Sequence, residues 1–456
     1  MLLLGQQRGR SCQGLSRRAF VQAGASTVLG LSICDLLRAR AAGANVAGSA
    51  KSVLLLWLWG GPAQLDTWDP KPFAPLEYRG PFQAIATKVP GVRVGELFPK
   101  MAQRLDRVSL LRAVHTQSND HGVAGTIGLT GSIAGSVGLD GKPRPGGVRP
   151  TTGSVVARVR GGDDRMPPFM VVGGRLHQGK KAIVGEGGGI LGGRYDPFRL
   201  EYDPVHGTRF PGLELPADLT PERLGDRQRL LDGFSQVQRD AESMARRRSI
   251  DDYRSQAFAM LTSPDSMKIF DLGRESEELK DRYGRTRFGQ SCLLGRRLVE
   301  HGVPFVQVNW SDHVEAEEDA GDGGWDHHYR NFQIMQDRHG PWLDQALSAL
   351  LDDLQDRGLL ASTLVLAMGE FGRSPKINAS AGRDHWEHCY SVLAAGGGVK
   401  GGRVIGESDA RAEHPHDHPV TPTDLAATVQ QAVGIGSELA QTLGVAVDGK
   451  PVNELF

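Results

Sequence analysis

The sequence predicts an α/β fold in which a mostly parallel sheet is flanked by helices on both faces. Three observations carry this expectation. Six apolar runs read as buried strands, helical patterns separate several of them, and acids and imidazoles gather where the runs end. Open α/β sheets bind their ligands at the carboxyl ends of strands, so the third observation also says where to look for function.

The runs are Ser52–Trp59, Arg107–Val114, Pro168–Val172, Val303–Trp310, Thr363–Met368 and Tyr390–Ala395. Gln290–Glu300 reads as a helix leading into the fourth run. Leu343–Leu360, apolar at helical spacing with Gly358 near its end, reads as a helix leading into the fifth. Residues 219–288 are charged, helical and poor in strand signal, which predicts a helical insertion packed on one side of the sheet. Segments 140–151 and 312–324 are rich in Gly, Pro and acids and read as exposed loops. A chain of 456 residues is long enough for one large α/β domain. Its 60 glycines, about 13% against a usual ~7%, point to many tight turns and ligand-facing loops.

The first 41 residues read as a segment apart from the fold. Ser16-Arg17-Arg18-Ala19-Phe20-Val21 resembles the twin-arginine export signal. An apolar, small-residue stretch too short and weak for a membrane span follows, and Ala39-Arg40-Ala41 offers a cleavage site. The expectation is a signal peptide over 1–41 and a single domain over 42–456. The protein would then be exported to the periplasm or cell envelope by the twin-arginine machinery, with no transmembrane anchor after cleavage. That machinery carries folded proteins, often with a metal already loaded. The segment holds six Arg and one Asp, so the remainder has 47 basic and 52 acidic residues, a net of −5. No basic patch remains to suggest nucleic acid. Only Cys292 and Cys389 remain after cleavage, and buried free thiols are expected of both.

Four strand ends carry chemistry. The fifth run stops at Glu370, and a Gly/Pro/Asn/Ser loop then delivers Asp384-His385 and Glu387-His388 ahead of the sixth. Carboxylates and imidazoles in that pattern suit a divalent cation, one or two of Zn, Mn, Ca or Mg. The first run stops at Gly60-Gly61-Pro62, and the loop beyond offers Gln64, Asp66, Thr67, Asp69 and Lys71, with Asp66 the candidate ligand. After the second run, His121 stands just ahead of a helix start, where the positive helix end can meet an anionic substrate. The fourth is Trp325-Asp326-His327-His328-Tyr329. Asp326 and His328, two apart, can converge on one cation from extended backbone, with His327 as competitor. Arg373 and Lys376 are candidates to hold an oxyanion, or are ordinary surface charges.

Several motifs together resemble the DUF1501 family of exported bacterial proteins, in the alkaline phosphatase/sulfatase superfamily. They are WGGPAQLDTWDPKP, HGVAGTIGLTG, FGQSCLLGRRLVEHGVPFVQV, GGWDHHYRNF, GEFGRSPKINASAGRDHW and AGGGVKGGRVIGESD, and the resemblance spans about residues 50–456. It implies an alkaline-phosphatase-like core. It places Glu370 where relatives have the Asp of an Asp-His metal motif, matches His385 to their later metal His, and likens Asp326 with His328 to their Asp-x3-His pair. Counting back from Thr130-Gly131 puts His121 where the sulfatase nucleophile would stand. The usual Ser, Thr or formylglycine precursor is thus absent. This leaves His121 as nucleophile, general base or metal ligand, with Thr67 and Ser118 as alternative nucleophiles. The metal set read from the sequence is Asp66, Asp326, His328, Glu370, Asp384 and His385; the catalytic set is His121, Thr67 and Arg373. The implied function is metal-dependent hydrolysis of a phosphate or sulfate ester, on a small molecule or a polysaccharide. The alternative is a non-catalytic metal-binding envelope protein on the same fold.

Overall fold

The structure, a computed structural model, describes residues 49–161, 166–211, 264–314 and 324–456. Residues 1–41, expected as a signal peptide, and residues 219–263 of the expected helical insertion lie outside the described residues. The described end of that stretch is helical over Pro264–Phe270 and Glu277–Tyr283.

Nine strands form the main sheet: β1 (Ser52–Leu58), β2 (Val108–Val114), β3 (Phe169–Val172), β4 (Phe198–Asp203), β5 (Gly207–Arg209), β6 (Phe305–Trp310), β7 (Thr363–Met368), β8 (Tyr390–Ala395) and β9 (Arg403–Ile405). Their order is β9-β2-β8-β7-β1-β6-β3-β4-β5. All pairings are parallel except those of β8 with its two neighbours and of β5 with β4. The sheet is therefore the mostly parallel one expected, and the six runs read from sequence are all strands in it. The three strands the sequence did not disclose are β4, β5 and β9. β9 and β5 are the two edges and β4 lies next to β5, and there partial exposure dilutes the apolar signal (Phe198–Asp203 holds Arg199, Glu201 and Asp203).

The central strand β1 is buried along its whole length, because both faces of the sheet are covered. Leu54, Leu56 and Leu58 enter one apolar core, and Val53, Leu55 and Trp57 enter the other. The helices divide the same way. α1 (His121–Thr130), α2 (Thr152–Arg160) and α5 (Pro422–Ala432) supply Leu129, Val155 and Leu425 to the second core. α3 (Arg287–Glu300) and α4 (Gly340–Asp356) supply Leu293 and Leu347 to the first. The α/β layer architecture is thus as predicted. Cys292 and Cys389 are both buried and free. No described helix is long and apolar enough to cross a membrane.

Candidate metal centre

The site forms where β7, β1 and β6 end side by side. Past β1 the chain turns at Gly60, φ 111°, where a Cβ would fall 2.5 Å from the backbone nitrogen of Asp326; only glycine permits that approach. On the adjacent β7, Met368 pairs with Trp57, which brings Glu370 level with Trp59 and next to Gly60. The Gly60 N–H donates to both carboxylate oxygens of Glu370, at 2.9 and 3.2 Å. Beyond β2, Asp120 caps α1 by accepting the Val123 N–H at 3.2 Å, so His121 becomes the first helical residue. His121 is fully buried and packs against Trp59, Phe371 and His385, with ring centroids 5.3, 4.8 and 4.3 Å away.

Three imidazoles meet at one carboxylate oxygen. The Oδ1 of Asp326 lies 3.3 Å from His121 Nε2, 3.1 Å from His328 Nε2 and 3.0 Å from His385 Nε2. The Nε2 atoms of His328 and His385 are 2.8 Å apart. On the far side of each ring an oxygen accepts the Nδ1–H: Glu370 Oε1 for His121 at 2.5 Å, Asp384 Oδ1 for His328 at 3.1 Å, and the Asn119 carbonyl for His385 at 2.7 Å. These acceptors fix the tautomers and aim the Nε2 lone pairs at the centre. Ligand atoms of His121, Asp326 and His385 all lie within 4.8 Å of one another. His121 Nε2, fully buried, makes no hydrogen bond of good geometry there. A set of imidazoles and a carboxylate in which the buried His121 Nε2 has no well-formed hydrogen bond fits a divalent cation.

The electrostatics call for positive charge at the same place. Burial favours neutral groups, yet Arg373 and then His121 hold the Asp326 carboxyl well below the usual carboxylate range. Burial likewise opposes a charge on His121, but Asp326 and Glu370 outweigh it and raise this imidazole to about 9. The hydrogen bond to Asp326 raises His328. His385 is pushed down to about 4, chiefly by burial, with His121 and Arg373 adding to the effect. Without a metal, a proton on His121 stands where a cation is wanted.

The structure divides the residues read from sequence. It brings His121, Asp326, His328 and His385 together. Glu370 and Asp384, expected as ligands, instead stand behind His121 and His328 and hold those rings. Asp66 is not brought to the centre: Arg383 takes both its oxygens, at 2.8 and 2.9 Å, and Asn331 donates to Oδ2 at 2.8 Å. The Thr67 hydroxyl donates to the Ala63 carbonyl at 2.8 Å within a buried turn, so it serves as a turn bond and not as a displayed nucleophile. Ser118 Oγ accepts the Asp120 N–H at 3.1 Å, leading into the α1 cap. Arg373 is neither an oxyanion clamp nor a surface charge, since it is 1% exposed and its donors go to the carbonyls of Gly60, Gly61 and Arg383 and to Asp326 Oδ1, 2.5 Å away. A two-stranded antiparallel piece pairs Arg373 with His385, which explains why both sit beside Asp326. His327 points away from Asp326 and bonds Asn331 and His339. Of the competing neighbours, it is His328 that meets Asp326.

Sequence reading missed Arg383, Asn331 and the Asn119 carbonyl. The first two lie inside the quoted motifs GRDHW and YRNF, but nothing in residue type marks a buried arginine or asparagine as part of a site. A backbone carbonyl leaves no sequence signal.

Similarities to solved structures are at low identity. Ps i-CgsB in complex with k-i-k-neocarrahexaose is 12% identical with a TM-score of 0.40, over 88% of this chain and 74% of that one. A sulfatase from Pseudoalteromonas sp. is 13% identical with a TM-score of 0.39, over 92% and 78%. A phosphonate monoester hydrolase from Silicibacter pomeroyi is 12% identical with a TM-score of 0.34, over 88% and 75%. No curated protein matches the chain. The family profile described as a protein of unknown function, DUF1501, matches residues 50–454, and the chain belongs to that family.

Proposed function

We propose that this protein is an exported, metal-dependent hydrolase of phosphate or sulfate esters. The observation that supports this reading most is the meeting of three imidazole Nε2 atoms at Asp326 Oδ1, each ring held from behind by an oxygen. His121, Asp326 and His385 would hold the ion, with His328 beside them. Three protein ligands leave a position for substrate, the usual arithmetic of a catalytic site. Imidazoles in this number favour Zn or a neighbouring transition metal over Ca or Mg. A bound divalent ion would supply a Lewis acid for the ester's phosphoryl or sulfuryl oxygens.

The protein's own groups then have separate tasks. Glu370, Asp384 and the Asn119 carbonyl accept from Nδ1 and turn each Nε2 inward, where it would meet the ion. Arg373 keeps Asp326 ionised. Trp59 and Phe371 close the His121 side with apolar rings. His328, with its side chain 39% exposed, marks the face from which a small-molecule or polysaccharide ester approaches.

One observation favours a second reading, a non-catalytic metal-binding envelope protein. His121, where the resemblance would put a nucleophile, is fully buried with Nδ1 bound to Glu370 and Nε2 turned to Asp326. Metal analysis of the purified protein, followed by a screen of aryl phosphate and aryl sulfate esters with and without metal, separates the two. Metal-dependent turnover supports the hydrolase. Bound metal without turnover of any ester leaves the second reading, and absence of metal binding overturns both.

A further inference from the structure

Two loops deliver the cluster, one carrying Asp326 and His328 and the other carrying Arg373, Asp384 and His385. Behind them is a second set of buried polar groups that the cluster does not use. Arg383 grips Asp66 through two parallel bonds, Nε to Oδ2 at 2.8 Å and Nη2 to Oδ1 at 2.9 Å, with both side chains at 0% exposure. Asn331 Nδ2 donates to Asp66 Oδ2 at 2.8 Å, and Asn331 Oδ1 accepts the His327 Nδ1–H at 3.0 Å. His327 Nε2 then accepts from His339 Nδ1 at 2.8 Å. The Arg383 backbone N–H donates to the His327 carbonyl at 3.0 Å, which closes a ring from Asp66 through Arg383, His327 and Asn331 back to Asp66.

This ring ties three segments together: the turn after β1, the 325–331 loop and the 373–385 loop. His327 lies between Asp326 and His328 in sequence, and its ring is turned away from theirs. Locking it therefore fixes the direction of both neighbours. The two loops also touch along their backbones. Arg330 N–H donates to Ser380 O at 3.1 Å and Asn331 N–H to Ala381 O at 3.0 Å. Arg330 and Ala381 both take left-handed φ values, 51° and 54°, a conformation that is unfavourable for a non-glycine residue and persists only where the surroundings impose it. At Gly382 a Cβ would lie 2.0 Å from the His328 carbonyl oxygen, so the loops are in backbone contact there. A buried ion pair is a poor source of net stability, because desolvation cancels much of its attraction. Geometry is what such a ring supplies.

We infer that Asp66, Arg383, Asn331 and His327 form a positioning clamp that sets the metal affinity and coordination geometry of the His121–Asp326–His385 centre. The inference rests on the metal-centre reading above. Asp66, which the sequence offers as a ligand, acts on the ion through the loops it joins. Groups of this kind around metal ligands are worth 10–100-fold in metal affinity.

The test uses the full chain without its signal segment, with Asn331→Ala and Asp66→Asn beside the wild type. Asn331→Ala cuts the ring while leaving the Asp66–Arg383 pair in place, so it remains informative where Asp66→Asn fails to fold. Co(II) is titrated against a competing chelator, its visible absorption spectrum is recorded, and the melting temperature of the metal-free protein is measured. The clamp predicts a 10–100-fold loss of Co(II) affinity and a shifted absorption spectrum for folded Asn331→Ala. A lower melting temperature with unchanged affinity and spectrum would assign the ring a structural role only and overturn the inference. Wild type that binds Co(II) while the variants bind it equally sinks the clamp alone. Wild type that binds neither Co(II) nor Zn(II) sinks the metal centre and the clamp together.

Discussion

Glu370 stands behind His121, its Oε1 2.5 Å from Nδ1, while the opposite ring nitrogen faces Asp326. The acid at the end of β7 therefore acts on the centre through an imidazole. Two consequences can be measured. Glu370→Gln keeps the size of the side chain but removes the charge that makes His121 a stronger donor to a metal, and should cost 10–100-fold in Zn(II) affinity by chelator competition. Glu370→Ala also strands the buried Gly60 N–H, adding about 1–3 kcal/mol of destabilisation that urea unfolding of the metal-free protein would report. Unchanged affinity in Glu370→Gln would remove Glu370 from the site.

The guanidinium of Arg373 is spent on protein groups, so its loss should appear in stability before it appears in substrate binding. Arg373→Met leaves Asp326 without its buried partner and three carbonyls without a donor. The expected loss is about 3–5 kcal/mol in the metal-free protein. Arg373→Lys should recover little of it, since an ammonium cannot span Gly60, Gly61, Arg383 and Asp326 at once. An intact melting temperature combined with a raised KM would show instead that Arg373 grips the substrate.

The histidines of the cluster should separate by their positions. His385 belongs to the group within 4.8 Å and is 16% exposed, whereas His328 is 39% exposed and sits at the rim. His385→Ala should abolish stoichiometric Zn(II) binding. His328→Ala should retain it with weakened affinity and lowered kcat for whichever aryl ester is turned over. Equal loss of metal in both variants would make His328 a full ligand. His327→Ala removes no ligand atom, because its ring faces Asn331 and His339, so it should keep the binding stoichiometry and weaken affinity only through the clamp.

How much of this was legible in the sequence follows from what each signal depends on. The buried strands showed themselves because β1 and β7 are apolar over almost their full length and β6 carries Phe305, Val306, Val308 and Trp310, as burial on both faces favours. Strands β5 and β9 at the edges, and β4 beside β5, carry mixed residues and gave no such mark. At the site, residue type and strand-end position were enough to single out His121, Asp326, His328, Glu370, Asp384 and His385. They could not tell the groups that face the centre from the groups that hold them, since that distinction depends on which ring nitrogen meets which oxygen across 249 or 56 positions of chain. Asp66 misled for a related reason. A buried acid after a strand looks the same whether a metal or a distant Arg383 neutralises it, and Arg383 is 317 residues away in sequence.

Away from the site, Asp352 on α4 gives a pH-dependent prediction. Its carboxylate pairs with Arg104 at 2.5 Å and Arg107 at 2.7 Å, tying the helix to the start of β2. Burial alone would favour the neutral acid, but the hydrogen bonds and charges of the two arginines outweigh it, and the carboxyl is held below its ordinary value. A carboxyl depressed in the folded state stabilises that state at pH above its unfolded value of about 3.9, and the contribution is lost as pH falls through the lower folded value. Asp352→Asn should therefore cost about 1 kcal/mol near neutrality, a modest figure because the side chain is 21% exposed and water screens the pair. The difference from wild type should shrink in acid and vanish once the folded carboxyl is protonated. Urea unfolding of both proteins across a pH series measures it directly. A gap that stays constant into acid would show that Asp352 contributes through packing, with no part played by its charge.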